Sequence, residues 1–139
     1  MTTVLVTGCF DVLHQEHKKF LKAAKKQGDI LLVGLETDDR IRKLKNRDHP
    51  CNLLNTRIKN LKKWGIADKI FSLPEKFDLP KHHRALINQI KPDILAVSSH
   101  TPNLPTKRHL MRSIGGIIKV VLPHNPKIST TKIIQGSEP

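Results

Sequence analysis

The sequence predicts an α/β fold in which a doubly wound, five-stranded parallel sheet forms a single domain. Apolar segments of strand length alternate along the chain with segments of helical periodicity. The apolar segments are continuous rather than alternating with polar residues, as expected for strands that are buried on both faces. A chain of 139 residues is long enough to bury one core of its own. Because the strands are expected to be buried on both faces, helices are expected on both faces of the sheet.

The first strand, helix and second strand are predicted within residues 3–35. TVLVTG is predicted to be a strand that closes at Gly8. Residues from about 14 to 27 have helical periodicity, which ends near Gly28. DILLVGL then forms the second strand. Together these segments make one βαβ unit.

The middle of the chain repeats this alternation. TDDRIRKLK begins with a Thr and Asp cluster suited to capping a helix, and NRDHPCN after it is predicted to be a loop. LLNTRIKNLKKWG returns to helical spacing. DKIFSL is a short third strand, and PKHHRALINQIK is a helix that begins at a proline.

The last third of the chain supplies the remaining two strands. PDILAVSS is the fourth strand, LPTKRHLMRSIGG is a helix, and IIKVVLP is the fifth strand. The sequence has no internal repeat and no linker long enough to divide it. One domain is therefore predicted over residues 1–136, with residues 137–139 as a frayed tail.

The strong positive charge raises the question of nucleic acid as a partner. The formal net charge is +13, and five lysines lie on the predicted first helix beside an apolar stripe. The chain has no Tyr and a single Trp, so it offers no aromatic motif for stacking bases. We interpret the lysines as a solvated face and do not expect nucleic acid as a partner. Nucleotides and sugar phosphates, as small anions, would be attracted by the same field.

Cysteine and hydropathy patterns indicate the expected compartment. Cys9 and Cys51 show no C-x-x-C or Cys/His spacing, so neither a disulfide framework nor a zinc site is predicted. No stretch approaches the roughly 20 apolar residues that span a bilayer, and no signal peptide is recognisable. We expect a cytoplasmic protein without a membrane segment.

Two histidines lie where the first strand should pass into the first helix. Ligands of such sheets bind outside the carboxyl ends of the strands, and a helix N-terminus offers unpaired N–H groups to an anion. His14 and His17 are three residues apart, so their imidazoles share one helix face and can donate hydrogen bonds to one phosphate. The alternative is structural: His14 caps the helix and His17 packs against the sheet.

These residues lie within a longer resemblance. TGCFDVLHQEHKKFLKAAKKQGD is similar to the pattern G-x-F-D-x-x-H-x-G-H, followed by a helix, of the cytidylyltransferase-like nucleotidyltransferases. ETDDRIRKLK resembles the lysine-bearing segment of that family, IKPDILAVSS its fourth strand, and ISTTKII its closing helix start. The resemblance extends over nearly the whole chain, in the right order.

The resemblance implies a Rossmann-like sheet and a reaction. Members of the family transfer a nucleoside monophosphate from a nucleoside triphosphate to a phosphorylated small molecule and release pyrophosphate. The chain resembles both glycerol-3-phosphate cytidylyltransferase and the adenylyltransferase domain of ADP-heptose synthase. CMP from CTP or AMP from ATP is therefore the expected donor group, with Mg²⁺ accompanying the triphosphate. Glycerol phosphate or a sugar phosphate is the expected acceptor, and homodimerisation is an expectation from the family alone.

The resemblance also implies roles for particular residues. His14, His17 and Lys45 are the implied catalytic residues, and Lys43 with Lys45 is implied to bind the acceptor phosphate. No residue is implied to hold a metal directly. The implied nucleotide-binding residues are Thr7, Gly8, Cys9, Phe10, Asp11, His100, His124, Ser129, Thr130 and Thr131. The alternative for the lysines and the Ser/Thr cluster is solvated side chains and a helix cap. The other four histidines, at positions 49, 82, 83 and 109, have no ligand spacing and are interpreted as structural.

The sequence departs from the family pattern at three places. Glu16 replaces the glycine of H-x-G-H, and it either faces solvent in the first helical turn or reshapes the phosphate site. SSHTPN replaces a glycine followed by an acidic residue. In HNPKISTT, His124 stands in the place of an arginine and Lys127 in that of a glycine. These departures leave a second hypothesis open: a non-catalytic nucleotide- or nucleic-acid-binding domain on the same fold.

Overall fold

A computed structural model describes residues 1–44, 52–77, 79–99 and 101–122. Within them, strands and helices alternate as the apolar periodicity predicts. The elements are β1 (Thr3–Gly8), α1 (Gln15–Lys25), β2 (Ile30–Leu35), α2 (Asp38–Leu44), α3 (Leu54–Trp64), β3 (Lys69–Ser72), α4 (Pro80–Ile90), β4 (Ile94–Ser98), α5 (Leu104–Ser113) and β5 (Ile117–Leu122).

The strands form one parallel sheet in the order β3-β2-β1-β4-β5. This confirms the predicted doubly wound α/β fold with five parallel strands. The chain moves outward from β1 in one direction and then crosses back through α4 to β4 on its other side. The strand order therefore reverses between β1 and β4, and sheets of this kind bind ligands in a crevice at the carboxyl ends of the strands at that point.

Alternate residues of β1 enter two different cores. Val4 and Val6 belong to the core that α1 and α3 cover, which also contains Leu21. Leu5, between them, belongs to the core under α4 and α5 together with Met111. This alternation follows from the two-residue period of a strand. Both faces of the central strand are thus buried, and its carboxyl end is held rigidly.

Three aspartates stabilise the amino-terminal edge of the sheet through hydrogen bonds to the backbone. Asp29, Asp68 and Asp93 each come directly before a strand, and each carboxylate accepts a backbone N–H of a neighbouring segment. The donors are Thr2 N at 2.8 Å, Leu31 N at 2.7 Å and Thr3 N at 2.8 Å, respectively. Charge-assisted bonds of this kind set the strand register. The carboxyl-terminal edge carries the side chains described below.

No helix in the described ranges has both the length and the apolar character needed to cross a membrane.

Candidate active site

The loop between β1 and α1 holds a backbone conformation that is unusual for its residues. Phe10 has a φ of 49°, in the left-handed region, and its side chain is fully buried. Cys9 and Asp11 on either side of it are also buried. Left-handed backbone at a bulky residue costs about 1–3 kcal/mol and persists only where the surroundings enforce it. The strain here marks the turn that leads from β1 to the start of α1.

His14 and His17 build the first turn of α1 together. His14 is the N-cap residue, and its Nδ1 accepts the Glu16 backbone N–H at 3.2 Å. In return, the His14 backbone N–H donates to Nδ1 of His17 at 3.3 Å, which completes a reciprocal capping box. The two rings pack against each other with centroids 3.9 Å apart and their planes tilted by 33°. His17 is buried between His14 and Phe10, whose ring centroid lies 5.4 Å away.

These contacts favour one tautomer of each neutral ring. A neutral imidazole whose Nδ1 accepts a hydrogen bond carries its proton on Nε2. Capping thus occupies the Nδ1 atoms and makes Nε2–H the donor group of each ring. The capping and packing that the structural alternative requires are present, and they are compatible with a phosphate-binding role at Nε2.

Glu16 is more buried than the simpler of the two interpretations expects, but it is not fully buried. It does lie in the first turn of α1, but its side chain is only 15% exposed. Its carboxylate lies 3.7 Å from the ammonium group of Lys19, one turn along the helix. The carboxylate that replaces the family's glycine is therefore partly neutralised by a neighbouring cation.

Asp11 fastens the loop after β1 to the segment before α3. Its Oδ1 accepts the backbone N–H of Asn52 at 2.7 Å, and the Asn52 side-chain amide donates to the Asp11 carbonyl at 2.7 Å. This paired contact joins positions 41 residues apart in the chain. Asp11 therefore braces the loop, while its implied nucleotide-binding role stays a prediction.

Arg57 is a buried hub that sequence reasoning missed. Its side chain is fully buried, and Nη1 donates to the carbonyl oxygens of Cys9 at 3.0 Å and Glu36 at 2.7 Å. Nη2 donates to the Asp38 carboxylate at 2.7 Å, and Nε donates to the Asn52 carbonyl at 3.1 Å. One guanidinium thus ties together the loops that follow β1 and β2. In the sequence it is one cation among many on an ordinary helical pattern.

A second group of charged side chains, also missed, lies beside this edge of the sheet. Glu36 follows β2, and its backbone N–H donates to the Gly8 carbonyl at 2.9 Å. Its carboxylate lies 3.7 Å from Nε of Arg40 on α2. Burial raises the pKa of Glu36, while the charges of Arg40, Arg57 and Lys107 oppose that rise.

Lys107 and His83 complete this group from the α4 and α5 side. Lys107 donates to Oγ1 of Thr101 at 2.8 Å, and burial lowers its pKa while the Glu36 carboxylate opposes that effect. The His83 ring stacks against Phe77 with centroids 4.0 Å apart. Burial, and then the charge of Lys107, lower the pKa of His83, so its imidazole is neutral at pH 7. We call Glu36, Arg40, His83 and Lys107 the β2-edge cluster.

The structure brings together only part of the predicted residue set. The β1 loop places Gly8, Cys9, Phe10 and Asp11 next to the two histidines, and Thr7 pairs with Gly34 at the end of β1. Lys43 is exposed on α2. The remaining predicted positions lie outside the described residues: Lys45, His100, His124, Ser129, Thr130 and Thr131. In the part of the chain that the structure describes, no three His, Cys, Asp or Glu side chains are grouped to hold a metal ion.

Comparison with known proteins identifies a family. The sequence profile described as "Cytidylyltransferase-like" matches residues 5–136. The protein named "Bifunctional protein HldE" of Haemophilus influenzae (strain PittGG) is 35% identical over 133 residues, which are 95% of this chain and 27% of that protein. The protein of the same name from Pseudomonas entomophila (strain L48) is 33% identical over 136 residues, which are 96% of this chain and 27% of that protein. The chain thus spans little more than a quarter of these relatives.

Solved structures share the fold. A protein described as the lipopolysaccharide core biosynthesis protein from Thermoplasma volcanium GSS1 superposes with a TM-score of 0.70 at 25% identity, covering 90% of this chain and 97% of that one. Pantoate-beta-alanine ligase from Francisella tularensis superposes with a TM-score of 0.68 at 17% identity, and the superposition covers 95% of this chain and 64% of the ligase chain. The second similarity, at that identity, concerns the fold alone.

Proposed function

The chain belongs to the cytidylyltransferase-like family of nucleotidyltransferases, and from that premise we propose a specific reaction for it. It transfers CMP or AMP from CTP or ATP to a phosphorylated small molecule, such as glycerol phosphate or a sugar phosphate, and releases pyrophosphate. The observation that supports this best is the capping box of His14 and His17. In it, both rings use Nδ1 to cap α1, and this helix N-terminus follows the carboxyl end of the central strand, the edge at which ligands of such sheets bind.

The proposed chemistry needs no covalent intermediate with the protein. An oxygen of the acceptor's phosphate attacks the α-phosphorus in line, and the bond from that phosphorus to the bridging oxygen of the β-phosphate breaks. The electron pair leaves with pyrophosphate. His14 and His17 donate hydrogen bonds to phosphate oxygens as charge shifts, and the N-terminal dipole of α1 adds to this stabilisation. Mg²⁺ enters as part of the nucleotide substrate, whose charge it offsets.

Among the alternatives, we favour ATP with a sugar phosphate. IGGIIKVV, and His124 in the place of the arginine of the glycerol-phosphate cytidylyltransferases, resemble the sugar-phosphate adenylyltransferase branch slightly more, whereas ISTTKI is shared with the cytidylyltransferases. The Thermoplasma volcanium neighbour, described as a lipopolysaccharide core biosynthesis protein, also supports an acceptor of the sugar class. Lys43 and Lys45 would bind the acceptor's phosphate, and His100, His124, Ser129, Thr130 and Thr131 would bind the nucleotide. A cytoplasmic location and a homodimer belong to the same proposal.

The test separates the two roles of His14, which are to cap α1 through Nδ1 and, as proposed, to donate a hydrogen bond to phosphate through Nε2. Asparagine is a good N-cap residue but has no donor at the position of Nε2. His14→Asn is therefore expected to leave the melting temperature within a few degrees of the wild type. It is also expected to lower the rate of pyrophosphate release by about 10²–10³-fold, as for the loss of one transition-state donor. Pyrophosphate release is measured with Mg-ATP or Mg-CTP and a panel of phosphorylated acceptors.

A matched control comes from α4. His82 accepts the Leu79 backbone N–H at its Nδ1 at 3.1 Å, so it occupies the same place in the first turn of α4 as His17 does in α1. His82→Ala is expected to retain full turnover, whereas His17→Ala loses it. Unchanged turnover in both His14→Asn and His17→Ala would overturn the role proposed for the pair. Nucleotide binding without pyrophosphate release under any condition would favour the non-catalytic alternative.

A further inference from the structure

The β2-edge cluster is joined directly to the loop after β1. The Glu36 backbone N–H donates to the Gly8 carbonyl, and Arg57 donates to the carbonyl oxygens of both Cys9 and Glu36. Thr7, the residue before Gly8, lines a narrow pocket that His83 and Lys107 also line. The cluster therefore lies at the same edge of the sheet as the two histidines, but on the α4 and α5 side of β1.

The charged groups of the cluster are incompletely paired. The side chains of Glu36 and Arg40 are only 12% and 13% exposed. Yet within the described residues Oε2 of Glu36 and Nε of Arg40 have no hydrogen-bond partner, and 3.7 Å separates the two groups. Buried polar atoms are nearly always hydrogen-bonded, because an unpaired one costs about 1–3 kcal/mol. These two atoms face each other as a long ion pair, so a carboxylate and a guanidinium that are not hydrogen-bonded to each other lie at the base of the cluster.

A cleft beside the cluster has the size and lining of a small polar ligand's site. Its volume is about 190 Å³, below the roughly 300–1,000 Å³ of pockets that enclose drug-sized molecules. It combines hydroxyl, amide, imidazole and ammonium groups with apolar walls. The lining residues are Pro80, His83, Asn103, Thr106, Lys107 and Leu110.

The chemistry of the cluster distinguishes between the two substrates. A buried carboxylate such as Glu36 repels a triphosphate, whereas it accepts hydrogen bonds from hydroxyl groups. Arg40 and Lys107 carry N–H donors, which hydroxyl oxygens of the same molecule can accept. Neutral His83 offers a further polar contact without adding charge. The body of a ligand that carries several hydroxyl groups offers hydrogen-bond partners to all four side chains.

We propose that the β2-edge cluster and the adjoining cleft bind the hydroxyl-bearing body of the phosphorylated acceptor and thereby select a sugar phosphate or a related polyol phosphate. This rests on the proposed function. The acceptor's phosphate then points toward the crevice beside Gly8, where the α-phosphorus of the nucleotide is held. Lys43 lies one turn along α2 from Arg40, on the same helix face, and is placed to meet that phosphate.

The test measures acceptor binding and nucleotide binding separately. Glycerol 3-phosphate, ribose 5-phosphate and mannose 1-phosphate are titrated calorimetrically into the wild type and into Glu36→Gln and Lys107→Met. Lys63→Met, an exposed lysine of α3 on the opposite face, is the matched control. At least one probe is expected to bind the wild type and the control equally. The same probe should bind each cluster variant at least about tenfold more weakly, while affinity for Mg-ATP and Mg-CTP changes less than twofold.

Failure of this inference can be told apart from failure of the proposed function. Binding of a probe that depends on the cluster, without any pyrophosphate release, would retain the site and remove the catalytic proposal. Binding of none of the three probes, or equal binding by all variants, would overturn the inference while turnover by the wild type still stood. Loss of nucleotide affinity in the cluster variants would assign the cleft to the nucleotide and also overturn it. Circular dichroism of each variant confirms that its fold is intact.

Discussion

Arg57→Met tests whether one buried guanidinium holds the loops of the site in place. Methionine keeps most of the length and apolar contact of the arginine stem but has no donors. The substitution therefore removes four hydrogen bonds, which range from 2.7 to 3.1 Å, at a side chain that is fully buried. Three of the acceptors are backbone carbonyls and the fourth is the Asp38 carboxylate.

The expected cost follows from the surroundings of those acceptors. The bond to the Cys9 carbonyl is buried, so losing it carries the full penalty of an unpaired acceptor, about 1–3 kcal/mol. The other acceptors are part-buried, and the Asp38 side chain is 25% exposed, so water recovers some of their pairing. We expect the free energy of unfolding to fall by about 3–5 kcal/mol, the range for breaking a buried ion pair. That is a large part of a typical domain's stability.

Urea unfolding monitored by circular dichroism measures this loss by linear extrapolation. Lys59→Met, on the exposed side of the same helix, is the matched control and should change the free energy by no more than about 0.5 kcal/mol. A double-mutant cycle with Asp38→Asn isolates the ion pair and should give a coupling of about 1–2 kcal/mol. A loss below about 1 kcal/mol for Arg57→Met would refute the description of Arg57 as the hub of these loops.

Three further perturbations test other features. Gly34→Ala would place a Cβ 2.7 Å from Cδ2 of Leu73, so the urea midpoint should fall by the equivalent of about 1–3 kcal/mol, and an unchanged midpoint would contradict the tight packing. The Lys25 hydrogen bond holds the pKa of Asp68 below its ordinary 3.8, so its contribution to stability is complete above about pH 4 and is lost as the pH falls through the lowered pKa. Asp68→Asn should therefore flatten the acid decline of the unfolding free energy, and an identical decline would refute this. Glu16→Gly removes a carboxylate from the start of α1 and should tighten Mg-nucleotide binding in calorimetry, whereas weaker binding would show that Glu16 supports the site.

Local periodicity was enough to predict the fold class. Uninterrupted apolar runs such as ILLVGL and ILAVS indicate strands buried on both faces, and the helical spacing between them fixes the crossovers. The helix bounds were less accurate. The first helix was expected from about residue 14 and begins at Gln15, because His14 takes the cap position instead.

The site was predictable only where its residues are neighbours in sequence. His14 and His17 share a helical turn, so their spacing alone places them on one face. Arg57 contacts the Cys9 carbonyl 48 residues away, and Glu36 meets Lys107 only after the chain has crossed to the other face of the sheet. Such pairings depend on the strand order, which no local pattern contains. The β2-edge cluster could therefore be recognised only in three dimensions.

The most direct test of the central claim follows the oxygen atoms of the reaction. The acceptor's phosphate is labelled with ¹⁸O, and the products formed with Mg-ATP or Mg-CTP are read by ³¹P NMR and mass spectrometry. Attack by the acceptor's phosphate on the α-phosphorus predicts ¹⁸O at the bridging position of the nucleotide-linked product and none in pyrophosphate. Label in pyrophosphate, or nucleotide bound with no pyrophosphate formed from any acceptor of the panel, would contradict the proposed nucleotidyl transfer.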